Sequence, residues 1–306
     1  MQDTITKPLL KWYGENKRVL PWREKKNPYE IWVSEIMLQQ TRVEAVKPFY
    51  ERFMRELPNV AALAVCPEEK LLKLWEGLGY YNRVRNMQKA AQKIMEVYDG
   101  VFPADYEALK GLPGIGNYTA GAVASIAFCI PVPAVDGNVL RVFSRLYNDP
   151  GVITEPPVKR AFTARVMEHQ PPEKAGDYNQ ALMELGALVC VPNGAPLCER
   201  CPLASLCEAR MVGTALELPH KAAPKARRIE PVTVVLAEDA EERFLLQQRP
   251  QKGLLAGLWQ PLLWEGEALS AEEVCARLEA LGLACEGRSE ERRVGKECRS
   301  RWSPYH

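Results

Sequence analysis

The chain has 306 residues, of which 47% are hydrophobic and 26% are charged. This composition is that of a globular protein of two or three domains, and it excludes disordered and collagen-like classes. No apolar run approaches the roughly 18 residues of a membrane span, and residues 1–10 lack the apolar core of a secretory signal, so we expect a cytoplasmic protein with no membrane partner. Lysine and arginine total 40 against 39 acidic residues, a net charge of +1, so any anionic partner must be bound by local geometry.

Apolar residues recur at helical spacing from residue 5 to residue 190, which predicts a mainly α-helical body. Asn27 and Pro28 show a typical helix start, because a capping side chain precedes a proline at the first helical position. The predicted helices cover residues 5–16, 28–39, 43–56, 59–65, 68–75, 83–98, 105–110, 117–128, 137–147, 155–168 and 177–190.

Glu35 falls on the second of these helices, on the same face as Ile31 and Trp32. A carboxylate on an apolar face loses hydration, so its pKa is expected to rise. A raised pKa is what a general acid needs near neutral pH. The alternative is a glutamate at the edge of that face whose side chain extends to water.

The segment Leu112–Gly116 (LPGIG) lies between two predicted helices. Two glycines around one aliphatic residue allow a tight turn that leads directly into a helix N-terminus, and the backbone N–H groups there form a site for a DNA phosphate. Gly114 and Gly116 are the candidate phosphate-binding residues of this helix–hairpin–helix. The alternative is an ordinary helix–helix turn.

Asp136 precedes Gly137 and Asn138 at the start of another predicted helix, where an aspartate commonly acts as an N-cap. Capping alone is one interpretation. In the other, the Asp136 carboxylate stays ionised beside the helix N-terminus and stabilises a positively charged, oxocarbenium-like sugar. An acid at position 35 and a carboxylate at position 136 form the pair that cleavage of a glycosidic bond uses.

Nine cysteines are present, and four of them cluster with the spacing C-x7-C-x2-C-x5-C. In a chain without an export signal, such a cluster indicates a metal site rather than disulfides. Spacing alone leaves open an iron–sulfur cluster, a zinc ion and no metal, although a single C-x2-C pair is unusual for zinc. The four residues are Cys190, Cys198, Cys201 and Cys207.

The sequence changes character after the cysteines. Residues 217–230 are rich in proline, alanine and basic residues, which predicts an interdomain linker. Residues 231–237 and 243–249 are strand-like, so a second domain of α/β type is expected beyond the linker. Residues 288–306 lack apolar periodicity, and we interpret them as a non-native or disordered tail.

Together these features resemble the helix–hairpin–helix DNA glycosylases that carry an iron–sulfur cluster. Over residues 1 to about 265 the sequence is similar to the adenine glycosylase (MutY) branch of that superfamily. The motifs that match this branch, in addition to LPGIG, are Leu20–Arg23 (LPWR), Ser34–Thr41 (SEIMLQQT), Gly77–Arg83 (GLGYYNR), Val135–Asn138 (VDGN) and Asn179–Ala187 (NQALMELGA).

The resemblance implies a mainly α fold with two modules. Residues 26–129 would form a six-helix module that contains the helix–hairpin–helix. Residues 1–25 and 130–216 would form a module that holds a [4Fe-4S] cluster on the four cysteines, although the first cysteine gap is one residue longer than is usual in the family. Residues 249–259 resemble the start of a Nudix-like domain, so residues 231–287 would be a partial α/β domain of that kind.

The resemblance also implies a function. A monomer would act in base excision repair and remove adenine mispaired with 8-oxoguanine or guanine in double-stranded DNA. Glu35 would protonate the adenine ring and Asp136 would stabilise the sugar cation. Tyr118 and Asn138 would line the site.

The remaining family motifs would contact DNA. Trp22, Arg23 and Gln180 would touch the adenine after it leaves the base stack. Gln40 would fill the gap in the stack, with Thr41 beside it, and Tyr80 would wedge next to the oxidised guanine.

Two other functions stay open. One is a glycosylase and lyase of the endonuclease III type, which acts on oxidised pyrimidines; it is disfavoured because that branch has a lysine where this chain has Tyr118, and a phenol cannot form a Schiff base. The other is a non-catalytic iron–sulfur protein that only binds mispairs. The presence of both Glu35 and Asp136 argues against the second.

Overall fold

A computed structural model describes residues 2–223, 226, 229–250, 252–253 and 255–284. The chain divides into two compact units, Met1–Pro224 and Lys225–His306, and the division falls inside the predicted linker. The predicted tail at residues 288–306 lies outside the described residues.

The described part of the first unit is mainly α-helical, as the sequence predicted. Eleven of its helices begin and end within three residues of the predicted bounds, and a twelfth short helix was not predicted. The helices are α1 (Gln2–Asn16), α2 (Pro28–Met37), α3 (Val43–Glu56), α4 (Val60–Ala64), α5 (Glu68–Trp75), α6 (Asn82–Val97), α7 (Tyr106–Lys110), α8 (Asn117–Phe128), α9 (Gly137–Leu146), α10 (Pro156–His169), α11 (Ala175–Leu188) and α12 (Glu208–Val212).

Side chains at the helix starts explain why the boundaries could be predicted. The Asn27 side chain accepts hydrogen bonds from the first backbone N–H groups of α2, and Pro28 occupies the first helical position. Asp105 caps α7 and Asp136 caps α9 in the same way. Hydrogen bonds between residues close in sequence therefore help to define these helix ends.

The buried side chains form two hydrophobic cores within the first unit. One core contains residues from α2 to α8, including Trp32, Phe53 and Trp75, and Leu20 and Trp22 also pack in it. The other core joins α1 to α9, α10 and α11. The sequence placed residues 20 and 22 in the cluster module, whereas their side chains pack with the helices of the first core.

Two glycines allow the elements around Asp136 to approach closely. A Cβ atom on Gly121 of α8 would lie 2.1 Å from the Pro133 carbonyl oxygen, in the loop that leads to Asp136. A Cβ atom on Gly186 of α11 would lie 2.6 Å from the Asn138 Cβ. Any larger residue at these positions would displace the segment 133–138.

The first part of the predicted linker packs on the first unit. Leu218 is buried, and its carbonyl oxygen accepts a hydrogen bond from Arg145 at 2.9 Å. The His220 carbonyl oxygen accepts one from the Ile153 N–H at 3.0 Å. Residues 218–220 therefore belong structurally to the first unit, because their backbone groups find partners there.

The described residues of the second unit form a small sheet and one helix. Strands β1 (Val232–Val235), β2 (Leu246–Gln248) and β3 (Trp259–Glu265) are antiparallel in the order β1-β3-β2, and α13 (Ala271–Ala280) follows. The two predicted strands are present but shorter than predicted, while β3 and α13 were not predicted. Val234 and Trp259 stay about half or more exposed, at 52% and 65%.

In the described part of the chain, no helix combines the length and the apolar character that crossing a membrane requires.

Candidate active site

Glu35 lies in the last turn of α2, and only 7% of its surface is exposed. The Tyr118 hydroxyl, from the first turn of α8, donates a hydrogen bond to Glu35 Oε2 at 2.6 Å. The sulfur of Met183 on α11 lies 3.6 Å from the same hydroxyl oxygen. Three helices therefore meet around one carboxyl group.

Burial raises the pKa of Glu35 to about 7. The Tyr118 hydrogen bond and the positive charge of Arg23 oppose this rise, whereas the charge of Asp136 adds to it. The rise predicted for a carboxylate on an apolar face is confirmed. A carboxyl group with this pKa is partly protonated at neutral pH and can act as a proton donor.

Asp136 is the N-cap of α9. Its Oδ1 accepts a hydrogen bond from the Val139 N–H at 2.8 Å, and its Oδ2 accepts one from Asn138 Nδ2 at 2.6 Å. Burial raises the pKa of Asp136, and these hydrogen bonds oppose the rise because they favour the charged form. Both oxygens of Asp136 are thus held in place by the residues that follow it.

The two carboxyl groups flank the same tyrosine. Burial raises the pKa of the Tyr118 hydroxyl well above its usual value, and the charges of Glu35 and Asp136 raise it further. Tyr118 therefore stays a neutral donor. Glu35 and the helix-capping Asp136 lie within electrostatic reach of each other. The arrangement combines a proton donor with a second acidic group in one buried site.

A chain of hydrogen bonds leads from Asp136 to the cysteine segment. Asn138 Oδ1 accepts a hydrogen bond from Arg141 Nη2 at 2.8 Å, and Arg141 Nε donates to the Cys190 carbonyl oxygen at 2.7 Å. Asn138 is therefore held from both sides.

The residues assigned to the adenine base lie in the short 3-10 helix Pro21–Arg23 and on α11. Trp22 is buried and packs edge-on against Tyr50, with ring centroids 5.2 Å apart. Arg23 forms an ion pair with Glu184, with 2.9 Å between Nη2 and Oε2. Gln180 is half-buried, and its side-chain amide donates to a carbonyl oxygen of its own helix at 3.4 Å.

Glu184 holds more than one arginine. Its side chain is 1% exposed and also accepts a two-pronged ion pair from Arg18, at 2.7 and 2.8 Å. Burial alone would raise the pKa of Glu184, but the hydrogen bonds from Arg18 and Arg23 outweigh burial and lower it to about 2. Glu184 is ionised at every pH at which the protein would work.

The residues assigned to the base stack lie on two exposed turns. Gln40 is exposed and follows α2, with Thr41 half-buried beside it. Tyr80 precedes α6 and is 65% exposed. Both side chains are therefore available to a partner.

The predicted helix–hairpin–helix consists of α7, the turn 111–116 and α8. Leu112 and Ile115 of the turn are buried, whereas Gly114 and Gly116 are exposed. Gly114 has a φ of 76°, and Gly116 is the N-cap of α8. The exposed turn thus places backbone N–H groups at a helix N-terminus, as a phosphate site requires.

The four clustered cysteines line one cavity, together with Arg145, Arg210 and apolar neighbours. Arg145 Nη1 lies 3.3 Å from the Cys190 sulfur, a position from which it can donate to a thiolate. Within the described residues, no three His, Cys, Asp or Glu side chains converge as ligands of one metal ion would. Burial raises the pKa of Cys201 to about 11, and the other three thiols add to the rise.

The sequence interpretation missed two residues of this site, Glu184 and Arg141. Glu184 is a charged residue within an otherwise apolar part of α11, and that contrast with its neighbours was the available signal. Arg141 lies three positions after Asn138 and so shares its helix face. The arginine partners of Glu184 and the Cys190 carbonyl that Arg141 also bonds lie far away in sequence, so those pairings could not be predicted.

Comparisons with known proteins show which family this chain resembles. The family model described as "HhH-GPD superfamily base excision DNA repair protein" matches residues 33–168. The adenine DNA glycosylase of Schizosaccharomyces pombe is 34% identical over 316 residues, an alignment that covers 84% of this chain and 68% of that protein. The chain belongs to the adenine DNA glycosylase family.

Other family members and a solved structure are similarly related. The adenine DNA glycosylase of Rattus norvegicus is 37% identical over 303 residues, which cover 82% of this chain and 58% of the rat protein. The chain thus spans less than two thirds of the length of that relative. A solved structure of a thermostable thymine-DNA glycosylase superimposes with a TM-score of 0.62 at 27% identity, over 69% of this chain and 97% of the other. This likeness supports the mainly α, helix–hairpin–helix glycosylase fold.

Proposed function

We propose that this protein removes adenine from double-stranded DNA by hydrolysing the N-glycosidic bond, and that it acts on adenine mispaired with 8-oxoguanine or guanine. The observation that carries the proposal is the buried Glu35 carboxyl group, whose pKa is about 7. It lies within electrostatic reach of Asp136, the N-cap of α9. Membership of the adenine DNA glycosylase family supports adenine as the base.

The two carboxyl groups have different tasks in this reaction. Protonated Glu35 donates its proton to the adenine ring while the bond between C1′ and N9 breaks, so that adenine leaves as a neutral base. The sugar becomes an oxocarbenium-like cation, and ionised Asp136 stabilises its positive charge. A water molecule then adds its hydroxyl group to C1′, and its remaining proton restores the acid form of Glu35.

Tyr118 and Asn138 position these groups. The Tyr118 hydroxyl orients Glu35, and Asn138 orients Asp136 through the 2.6 Å bonds described above. Because Tyr118 has no amine, it cannot attack the sugar to form a Schiff base. The proposal therefore includes base removal essentially without strand cleavage.

Binding would require the adenine to leave the base stack. We assign contacts with the extruded base to Trp22, Arg23 and Gln180, and contacts with the remaining stack to the exposed Gln40 and Tyr80. Thr41 would contact DNA beside Gln40. The exposed amides at Gly114 and Gly116 would bind a phosphate, which needs no net positive charge on the protein.

We also propose a [4Fe-4S] cluster on Cys190, Cys198, Cys201 and Cys207. Four thiols line one cavity, which gives one thiolate for each iron, and the Arg145 guanidinium beside the Cys190 sulfur would balance the negative charge of the thiolates. When bound, the cluster would supply four iron–thiolate bonds that tie the segment 190–207 to the body of the protein. Analysis of iron and acid-labile sulfide in the purified full chain tests this assignment.

One assay tests the activity. The full chain is incubated in excess over duplexes that contain adenine opposite 8-oxoguanine, guanine or thymine, and the products are analysed with and without alkali. We expect rapid adenine release opposite 8-oxoguanine, slower release opposite guanine and none opposite thymine, with strand breaks only after alkali. Strand breaks without alkali would favour the lyase function, and no release from any duplex would refute the proposal.

A further inference from the structure

The two exposed turns that carry Gln40 and Tyr80 share an uncommon backbone conformation. Gln40 has a φ of 63° and Tyr80 a φ of 48°, which place both residues in the left-handed region. This region is disfavoured for a residue with a side chain, and it persists only where surrounding contacts enforce it. Something in the structure must therefore hold both turns.

Arg83, in the first turn of α6, makes those contacts with one guanidinium group. Its Nη1 donates to the carbonyl oxygens of Ile36 and Gln39, at 2.8 and 2.7 Å. Its Nη2 donates to the carbonyl oxygens of Leu78 and Gly79, at 2.8 and 3.2 Å. Gln39 directly precedes Gln40, and Gly79 directly precedes Tyr80, so the guanidinium is bonded to the backbone at the start of both turns.

The acceptors and the surroundings of Arg83 explain why an arginine is needed. Carbonyl groups at the end of a helix such as α2 lack partners within the helix and require other donors. The planar guanidinium offers a fixed fork of N–H groups that can serve two backbone segments at once, whereas lysine presents its three donors from a single nitrogen atom. The Arg83 guanidinium also lies against the rings of Trp75 and Tyr80, at 5.3 and 5.6 Å from their centroids.

We propose that Arg83 is a positioning residue for mispair recognition. It joins the Gln40 turn to the Tyr80 turn, so that the two side chains enter the base stack as one preorganised unit. This inference rests on the proposed function, because it takes from it the contact of Gln40 and Tyr80 with the stack. Preorganisation would matter here because a turn that must be ordered during binding lowers the affinity.

The first test compares Arg83→Lys with Arg85→Lys in the full chain. Arg85 lies on the same helix two positions later, and its guanidinium forms an ion pair with the exposed Glu68. It is therefore a matched control. Two duplexes are used, each with a non-cleavable adenine analogue, which lies opposite thymine in one and opposite 8-oxoguanine in the other. The measured quantity is the dissociation constant of the thymine duplex divided by that of the 8-oxoguanine duplex. We expect Arg83→Lys to lower this ratio by roughly ten- to a hundredfold, as misplacement of a recognition element does, and Arg85→Lys to leave it within about twofold.

The first part of a second test uses only variants that keep Arg83. Gln40→Ala, Tyr80→Ala and the double variant are compared by the same ratio in the chain that keeps Arg83. If the two side chains act as one unit, the loss in the double variant is smaller than the product of the two single losses by about threefold or more. In the Arg83→Lys background the same losses should multiply.

The outcomes separate this inference from the proposed function. If each alanine variant lowers the ratio but their losses multiply in the presence of Arg83, or if Arg83→Lys leaves the ratio unchanged, the positioning role is wrong and the proposed function stands. If neither alanine variant changes the ratio, the assignment of these residues to the base stack fails first. Hydrogen exchange of the segments 38–42 and 77–81 gives a third readout: both should exchange faster in Arg83→Lys and neither in Arg85→Lys.

Discussion

Two buried glutamates of the same protein have opposite acid–base properties. Glu35 on α2 is 7% exposed and its pKa is raised to about 7, whereas Glu184 on α11 is fully buried and its pKa is lowered to about 2. Burial by itself would raise the pKa of both groups. The difference comes from their partners, because Glu184 has the guanidinium groups of Arg18 and Arg23, and Glu35 has one neutral tyrosine and a nearby acidic group.

This comparison shows what distinguishes an acid from a structural ion in one fold. A carboxyl group that is buried without a paired cation keeps its proton up to a higher pH and can transfer it near neutral pH. A carboxyl group that is buried with two cations stays ionised and holds them in place. Arg23 connects the two regions, because it pairs with Glu184 and its charge also acts on Glu35.

The largest expected effect is that of Glu35→Gln. The amide has nearly the same shape but no proton to donate, so the single-turnover rate of adenine release should fall by about a thousandfold or more, while mispair binding changes little. The exposed Glu69→Gln serves as the control and should keep the rate of the parent chain. An equal loss of rate and of binding would show that Glu35 has a structural role instead.

Asp136→Asn comes next and tests the second acidic group. Asparagine still caps a helix but carries no negative charge, so we expect a loss of about two to three orders of magnitude in the rate of release. Asp105→Asn is a matched control, because Asp105 caps α7 with a 2.7 Å hydrogen bond to the Ala108 N–H. Retention of most of the activity in Asp136→Asn would mean that Asp136 is only a cap.

Glu184→Gln should affect stability rather than chemistry. Removing one member of a buried ion cluster leaves Arg18 and Arg23 without their counter-charge, so the free energy of unfolding should fall by about 3 kcal/mol in a denaturant titration. Glu199→Gln, which removes an exposed partner of Arg210, should change it by less than about 0.5 kcal/mol. A small effect of Glu184→Gln would show that the two arginines find other partners.

The two glutamates also predict opposite pH dependences of stability. The folded pKa of Glu184 lies below its unfolded value of 4.5, so its contribution is present above pH 4.5 and is lost as the pH falls towards 2. The folded pKa of Glu35 lies above 4.5, so the stability associated with its protonated form is lost as the pH rises from 4.5 through 7. Glu35→Gln should therefore be more stable than the parent chain at pH 8 and similar to it at pH 5.

The smallest effect is expected for Tyr118→Phe. The Tyr118 hydrogen bond favours the charged form of Glu35, so its removal should raise the pKa of Glu35 further, by about one unit. The pH above which adenine release declines should shift upward by the same amount. Tyr106→Phe on α7 is the control, and a downward shift in Tyr118→Phe would contradict the assigned hydrogen bond.

Much of the local structure was accessible from the sequence. The caps at Asn27 and Asp136 and the glycines of the LPGIG turn act within a few residues, so the helix boundaries could be predicted closely. The strand β3 and the helix α13 were missed, although Ser270 and Glu273 form a capping box at the start of α13 that was an available local signal. The pairing of Glu184 with Arg18 and Arg23 was missed because it joins positions more than 160 residues apart.

The sequence alone determined where the helices lie and which residue types are present at positions 35, 118, 136 and 138, because periodicity, capping and motif spacing are local properties. Only the tertiary structure decided which glutamate keeps its proton. That outcome depends on whether a cation from a distant segment reaches the buried carboxyl group, and the packing of α2, α8 and α11 brings a tyrosine to Glu35 while two arginines reach Glu184.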